Sequence, residues 1–371
     1  MRELGSARRI VVKIGTNVLS GSHGIDREYV EEIAQQVSAL VKQGRQVLIV
    51  SSGAIGMGAK ELGMSHKITN IATRQACAAI GQPILMNTYR SAFAAQGIRV
   101  AQVLLTREVL ENRKSYVNAR NAVESLISLA AVPIFNENDS ISTEEIGTAF
   151  GDNDQLSAFV ASKVDAELLI MLSDIDAFYD KDPRKHADAQ PIGTVSELSD
   201  QISAYAGRAG SAHATGGMET KLKAVSIASR AGCRVVIANG REPDVLTRLL
   251  DGEELGTLFQ SKEKLRNRTR WILNSVPRGK IVVDQGALTA IRNRNSLLPK
   301  GIVSVHGVFQ AGSVVEVTLD PDTSGSAKIV TALNSSDLRS VLGQHSDLAS
   351  TTLGPGKKEI VARPEDIVFL E

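Results

Sequence analysis

The sequence predicts an α/β protein in which an open, mainly parallel sheet is sandwiched by helices and followed by a small β-barrel-like second domain. Three observations predict it. Apolar strand-length runs alternate with helix-period patterns over about the first 260 residues, the rhythm of β-α units. Glycine-rich or polar loops stand at the carboxyl ends of several of those runs, where open parallel sheets bind ligands. After Phe259 the chain changes to short β-rich runs separated by Gly, Pro, Asp and Ser clusters.

Residues 10–14 read as a short buried strand, with Lys13 at its end and Gly15 and Thr16 directly after. A lysine there suits an anionic ligand, and a lysine snorkelling from a strand end is the alternative. A helix over residues 26–42 follows from Val30, Ile33, Ala34, Val37, Leu40 and Val41 on one side, with Gly44 as its stop. The strand at 46–50 runs into Ser51, Ser52, Gly53, Ala54, Ile55, Gly56, Met57 and Gly58, a glycine-rich loop bearing hydroxyls. Next come a helix near 74–96, a strand at 100–105, a helix near 119–129 and a strand at 132–135. Asn136, Glu137, Asn138, Asp139 and Ser140 follow that strand, and Gly151, Asp152, Asn153 and Asp154 precede a helix at 155–163.

Between strands at 167–172 and 234–238 lies the run Thr215, Gly216, Gly217, Met218, Glu219, Thr220 and Lys221. Its glycines let the backbone approach a ligand closely, and the free N–H groups of the following helix face an anion there. Met218, Leu222, Val225 and Ala228 share one face of that helix and Gly232 ends it. The run is not the P-loop pattern, and a Gly-Gly turn also serves as plain punctuation. In the tail, strands are expected at 281–283, 302–305, 313–317, 328–330 and 359–361. Lys262, Lys264, Arg266, Arg268 and Arg270 crowd the segment before Trp271, Ile272 and Leu273, which reads as a linker or a connecting helix with a solvated basic face. The expected division is 1–260, a linker at 261–276, and 277–371.

With 371 residues, 43% hydrophobic and 22% charged, the chain can bury sizeable cores in two domains. Lys plus Arg (42) against Asp plus Glu (41) leaves +1, so no global basic field announces nucleic acid or an anionic membrane. Residues 1–9 lack an apolar signal segment and the longest near-apolar run, 126–135, is too short to span a bilayer, so a cytoplasmic location without membrane association is expected. Cys77 and Cys233 read as buried thiols. No zinc-type spacing or nucleophilic triad appears, and metal ligands are not identifiable.

Lysines and glycine loops fit phosphoryl transfer, which depends on positioning and charge neutralisation by lysines, N–H groups and Mg²⁺. A carboxylate acceptor is ionised at neutral pH and needs no histidine base. Asn136, Asn138, Asp139 and Asn153 suit an amino acid's ammonium and carboxylate groups, with turn formation and helix capping as the other account.

The segments around Lys13 (Val12 to Thr16), Ser52 (Ser52, Gly53, Ala54, Ile55), Asn136 to Asp139, Gly151 to Asp154 and Thr215 to Lys221 resemble the glutamate 5-kinases of the amino acid kinase family. The tail, with Val283, Asp284, Gly286 and Ala287, then Ser296 to Ile302, is similar to the PUA domain that bacterial members carry. The resemblance implies the amino acid kinase fold, with ATP and L-glutamate giving ADP and L-glutamyl 5-phosphate, the first step of proline biosynthesis, with Mg²⁺ required. It also implies inhibition by proline and a homo-oligomer, dimer or tetramer. Carried over by motif, Lys13 and Lys221 neutralise the transferring phosphoryl group and Asp154 holds both lysines. Ser52, Gly53, Ala54, Asp139 and Asn153 bind glutamate with Asn136 nearby. Ser173 and Asp174, together with Thr215, Gly216, Gly217, Met218, Glu219, Thr220 and Lys221, hold the nucleotide. Ser51 stands where Thr is frequent, and Glu219 brings a negative charge into the phosphate turn. An N-acetylglutamate or aspartate kinase is the nearest rival. RNA binding through the PUA domain is the rival of another class, against which stand the neutral charge and 4% aromatic content.

Overall fold

Apolar strands in the first 264 residues assemble into one eight-stranded sheet. The computed structural model describes every residue except 1, 22–23, 65–67, 142–152, 200–201, 203–204, 206–216, 262–264, 324, 355–358 and 371. The strands are β1 (Arg9–Ile14), β2 (Gln46–Val50), β3 (Arg99–Leu105), β4 (Ala131–Glu137), β5 (Leu168–Ser173), β6 (Thr194–Val195), β7 (Arg234–Asn239) and β8 (Thr257–Phe259). Their order is β6-β8-β7-β5-β1-β2-β4-β3, parallel throughout except where β8 runs against β7. Register aligns the carboxyl ends: Lys13 sits opposite Val50 and Met171, Val50 opposite Phe135, and Ser173 opposite Asn239.

The helices used below are α1 (Arg27–Lys42), α2 (Ala54–Glu61), α3 (Ile71–Ala95), α4 (Arg113–Ser128), α5 (Asn153–Lys163), α6 (Met218–Ser229) and α7 (Val245–Leu250). Side chains alternate across a strand, so β1 serves both faces. Ile10, Val12 and Ile14 enter one core with α1, α3 and α7, while Val11 enters the other with α4, α5 and α6. Both faces of the sheet are therefore helix-covered, which is why its central strands are continuously apolar.

Residues 54–58, expected as loop, form the start of α2. Gly53 is its N-cap in the left-handed region at φ +96°, and the later glycines serve packing. A Cβ on Gly58 would meet Cys77 O at 1.8 Å, and one on Gly81 would meet Ala54 O at 1.9 Å, so α2 and α3 touch backbone to backbone. α3 and α4 begin earlier than their apolar periodicity suggests, because Asn70 and Asn112 cap them through Thr73 N and Ser115 N. Cys77 and Cys233 are buried and unbridged.

Residues 265–371 form a second compact unit. Its strands β9 (Gly279–Val283), β10 (Ile302–Gly307), β11 (Val314–Thr318), β12 (Ala327–Val330) and β13 (Ile367–Phe369) make a mixed sheet in the order β10-β9-β11-β12-β13. Ile281, Val283, Val315, Val317 and Ile329 enter its separate core. The last strand lies at 367–369 and not at 359–361, where Ala362 instead bridges Leu297 ahead of a short turn opened by Pro364. Of the two readings of the basic segment, linker or connecting helix, the described part is helical, and its basic face is not simply solvated. Lys262 and Lys264 lie outside the described residues, but helix α8 (Asn267–Asn274) belongs to the second unit. Lys328 Nζ donates to Leu273 O (2.7 Å) and Ser275 O (2.8 Å), Arg268 pairs with Asp366, and Arg270 is buried.

Candidate active site

Alternation along β1 puts Lys13 on the same face as Val11, beneath α5 and α6, and these two helices pack against each other. Asp154 is in the first turn of α5 and Lys221 in that of α6. Lys13 Nζ stands 2.5 Å from Asp154 Oδ1 and Lys221 Nζ 3.0 Å from Asp154 Oδ2. Thr220 Oγ1 donates to Oδ2 at 3.2 Å. Lys13 is 2% exposed, Lys221 5% and Asp154 0%. Burial pushes the Asp154 carboxyl up, but the two lysines together outweigh it and hold the group below the ordinary carboxylate range. The triad carries a formal +1 at the carboxyl edge of the sheet, which favours an anion. Gly15 keeps this spot open, since a Cβ there would lie 3.2 Å from Leu172 O and 3.6 Å from Lys13 Nζ.

One side of the clamp is built from the ends of β2 and β4. Ser52 is buried and, among the described residues, its Oγ has no partner. Gly53 and Ala54 start α2, so their backbone faces the same loop. Asn153 Nδ2 donates to Ser51 O and, at 2.7 Å, to Asn136 Oδ1, which also accepts from Glu137 N at 3.0 Å. Asn136 Nδ2 donates to Gln82 Oε1 at 2.7 Å, and Ser51 Oγ is 3.0 Å from Tyr89 Oη. Asn136 thus spends both ends of its amide on the scaffold. Asp139 follows β4, half-buried, and among the described residues accepts no hydrogen bond; burial pushes it up to about 6, partly offset by Arg74.

On the other side, Ser173 ends β5 and its Oγ donates to Asp174 Oδ1 at 3.1 Å, while Asn17 Nδ2 donates to Oδ2 at 2.7 Å. Burial raises Asp174, but these bonds and the nearby Lys221 bring it below the ordinary range. Gly217 is the N-cap of α6 and makes no side-chain cap bond, so the first N–H groups of that helix have no side-chain cap. Thr215 and Gly216, like Gly151 and Asp152, lie outside the described residues. Met218 is half-buried. Glu219 is exposed and pairs with Lys223 at 2.8 Å, so its charge is answered on the outer face of the helix. Gln82, Tyr89 and Asn17 escape sequence reading. The available signal for the first two is a glutamine and a tyrosine two turns apart in the buried stripe of α3.

Residues 8–239 match the sequence profile of the amino acid kinase family and residues 279–349 that of the PUA domain. A glutamate 5-kinase of Methanosarcina barkeri is 45% identical over 377 residues, covering 99% of this chain and 98% of its own. One from Thermus thermophilus is 44% identical over 85% of each chain, and one from Geobacter sulfurreducens 41% identical over 99% of each.

Proposed function

This chain belongs to the amino acid kinase family, and from that premise we infer that it is a glutamate 5-kinase, which uses ATP to phosphorylate the side-chain carboxylate of L-glutamate and so begins proline biosynthesis. The observation that carries the chemistry is the Lys13–Asp154–Lys221 clamp, set between a polar amino-acid loop and a nucleotide loop. A glutamate carboxylate oxygen bonds to the γ-phosphorus, the bond from that phosphorus to the β,γ-bridging oxygen breaks, and ADP leaves with the electron pair. No proton moves, so no base is needed. Lys13 and Lys221 answer the charge on the transferring group, and Asp154 fixes both ammonium groups in advance so that little reorganisation accompanies transfer.

Asp139 receives the substrate ammonium. Ser52 and the backbone of Gly53 and Ala54 receive a carboxylate, and Asn153 and Asn136 hold those loops in register. Ser173, Asp174 and the start of α6 hold the nucleotide. Asp174, fixed by Asn17 and Ser173 and close enough to Lys221 to feel its charge, suits the single carboxylate that Mg²⁺ takes alongside phosphates and water. Bound there, Mg²⁺ would neutralise charge on the β- and γ-phosphates. Among the described residues no helix is long and apolar enough to cross a membrane, and we place the enzyme in the cytoplasm as a homo-oligomer, dimer or tetramer. Proline is proposed to inhibit through a site overlapping residues 136–154, which predicts that added proline raises the glutamate concentration for half-maximal rate.

The deciding experiment traps the acyl phosphate with hydroxylamine across L-glutamate, L-aspartate and N-acetyl-L-glutamate. Hydroxamate from L-glutamate alone supports the assignment. Preference for N-acetyl-L-glutamate would overturn the role of Asp139.

A further inference from the structure

The hydrogen bonds of the polar cluster fix which way each amide points. Asn136 takes the backbone N–H of Glu137 at 3.0 Å, and a backbone N–H can only donate, so the receiving atom is the amide oxygen. The other end of Asn136 is therefore its NH₂ group, which donates to Gln82 at 2.7 Å. Gln82 must then offer its oxygen to Asn136 and keep its own NH₂ on the far side of the amide. That nitrogen is buried and, among the described residues, has no acceptor, in a side chain only 8% exposed. A buried donor with nothing to donate to is costly and rare.

Its surroundings say what fits. Gly81, the preceding residue, lies against Ala54 O at the start of α2, and Asn136 is the penultimate residue of β4, so Gln82 stands between the two halves of the acceptor loop. Among the described residues, Ser52 Oγ is a second buried donor of this loop without a partner. Two orphaned donors in an acceptor site call for a ligand rich in acceptors and poor in donors, which is the character of a carboxylate.

We propose that Gln82 is a substrate-binding residue whose side-chain NH₂ donates to a carboxylate of the acceptor amino acid. This rests on the reading of the site as a glutamate 5-kinase and adds a ligand contact supplied by α3, outside the strand-end loops.

Gln82→Glu is the informative variant, because it preserves shape and the oxygen that Asn136 needs while replacing the NH₂ by oxygen. KM for glutamate, relative to the unaltered enzyme and followed from pH 6.5 to 9, should rise with pH to about ten- to a hundredfold as the introduced carboxyl ionises. KM for ATP should stay within about twofold. Gln82→Met, which strips Asn136 of its partner as well, separates scaffold from ligand. If Gln82→Met weakens glutamate binding and Gln82→Glu leaves the KM ratio flat at all pH values, Gln82 only positions Asn136 and the proposal is overturned. Equal rises in KM for both substrates overturn it too. Hydroxamate formation by the unaltered enzyme is measured alongside: its absence defeats the kinase assignment and the proposal together, whereas its presence with a flat ratio defeats the proposal alone.

Discussion

Replacing Asp154 by Asn tests the clamp most directly. The change keeps the shape of the side chain and removes the shared counter-ion of two buried lysines. At distances of 2.5 and 3.0 Å, each attraction amounts to about 6 kcal/mol for an effective dielectric constant of about 20. Desolvation and the mutual repulsion of the lysines offset much of that, and breaking a buried pair by removing one partner costs about 3–5 kcal/mol. For a unit of this size the first thermal transition should fall by roughly 6–20 °C. The pH dependence carries a sign. Asp154 is held below its ordinary value in the folded state, so its contribution is complete above the unfolded carboxylate value near ~4 and is lost as pH falls through the folded one. The gap between the two proteins should therefore be full at neutral pH and close only in acid. Scanning calorimetry from pH 3 to 8, with and without ATP, measures it; ATP should restore part of the loss by supplying negative charge. A shift below about 2 °C at pH 7 would refute the view that Asp154 holds the lysines.

Lys13→Ala and Lys221→Ala should each lower kcat by about a hundredfold or more without unfolding the protein, and the double variant should lose much less than the product, because both act on one transition-state charge. With Asp139 pushed up to about 6, kcat/KM for glutamate should fall about tenfold per pH unit below that value as the carboxyl takes a proton. Asp139→Asn should raise KM for glutamate far more than for ATP and flatten this dependence. A chain ending at Lys264 keeps both cores of the sheet unit and should fold and form acyl phosphate, as circular dichroism and hydroxylamine trapping would show. Ending it at Ser275 instead leaves α8 without β12 and Asp366, and should yield a less soluble product.

Six of the eight strands of the sheet were legible because their signals are local, whereas β6 and β8, of two and three residues, are too short to show a pattern. β2 occupies residues 46–50 as its apolar run indicates, and Gly44 and Gly232, read as helix stops, have φ of +83° and +76°. Lys13 stood out as a lysine ending an apolar strand, for which snorkelling was an equal alternative; its burial against Asp154 decides against snorkelling. Less legible was anything that depends on what a glycine or asparagine touches. Gly53 reverses the chain at positive φ, as loop glycines do, whereas Gly58 and Gly81 exist for the close approach of two helices. A glycine-rich stretch looks the same in both cases. Asn70 and Asn112 likewise gave no sign that they cap helices, because the apolar stripe starts a turn or more later.

Asn136 and Asn153 show the same limit at the site itself. As a pair of amides beside a strand end, they read as ligand groups; Asn136 spends both ends of its amide on Gln82, Glu137 and Asn153, whereas the bonds of Asn153, to Ser51 and Asn136, use only its NH₂. Ser51 and Asn153 are 102 positions apart in the chain, so no spacing rule connects them; they meet because parallel strands bring every loop to one edge. What a sequence does carry is the anomaly, a glutamine and a tyrosine in the buried stripe of α3 where that helix otherwise packs Leu85 and Phe93. Buried polar side chains must be partnered. Tyr89 has its partner in Ser51, while the NH₂ of Gln82 has none among the described residues, and the difference separates a residue that holds the site from one that awaits what enters it.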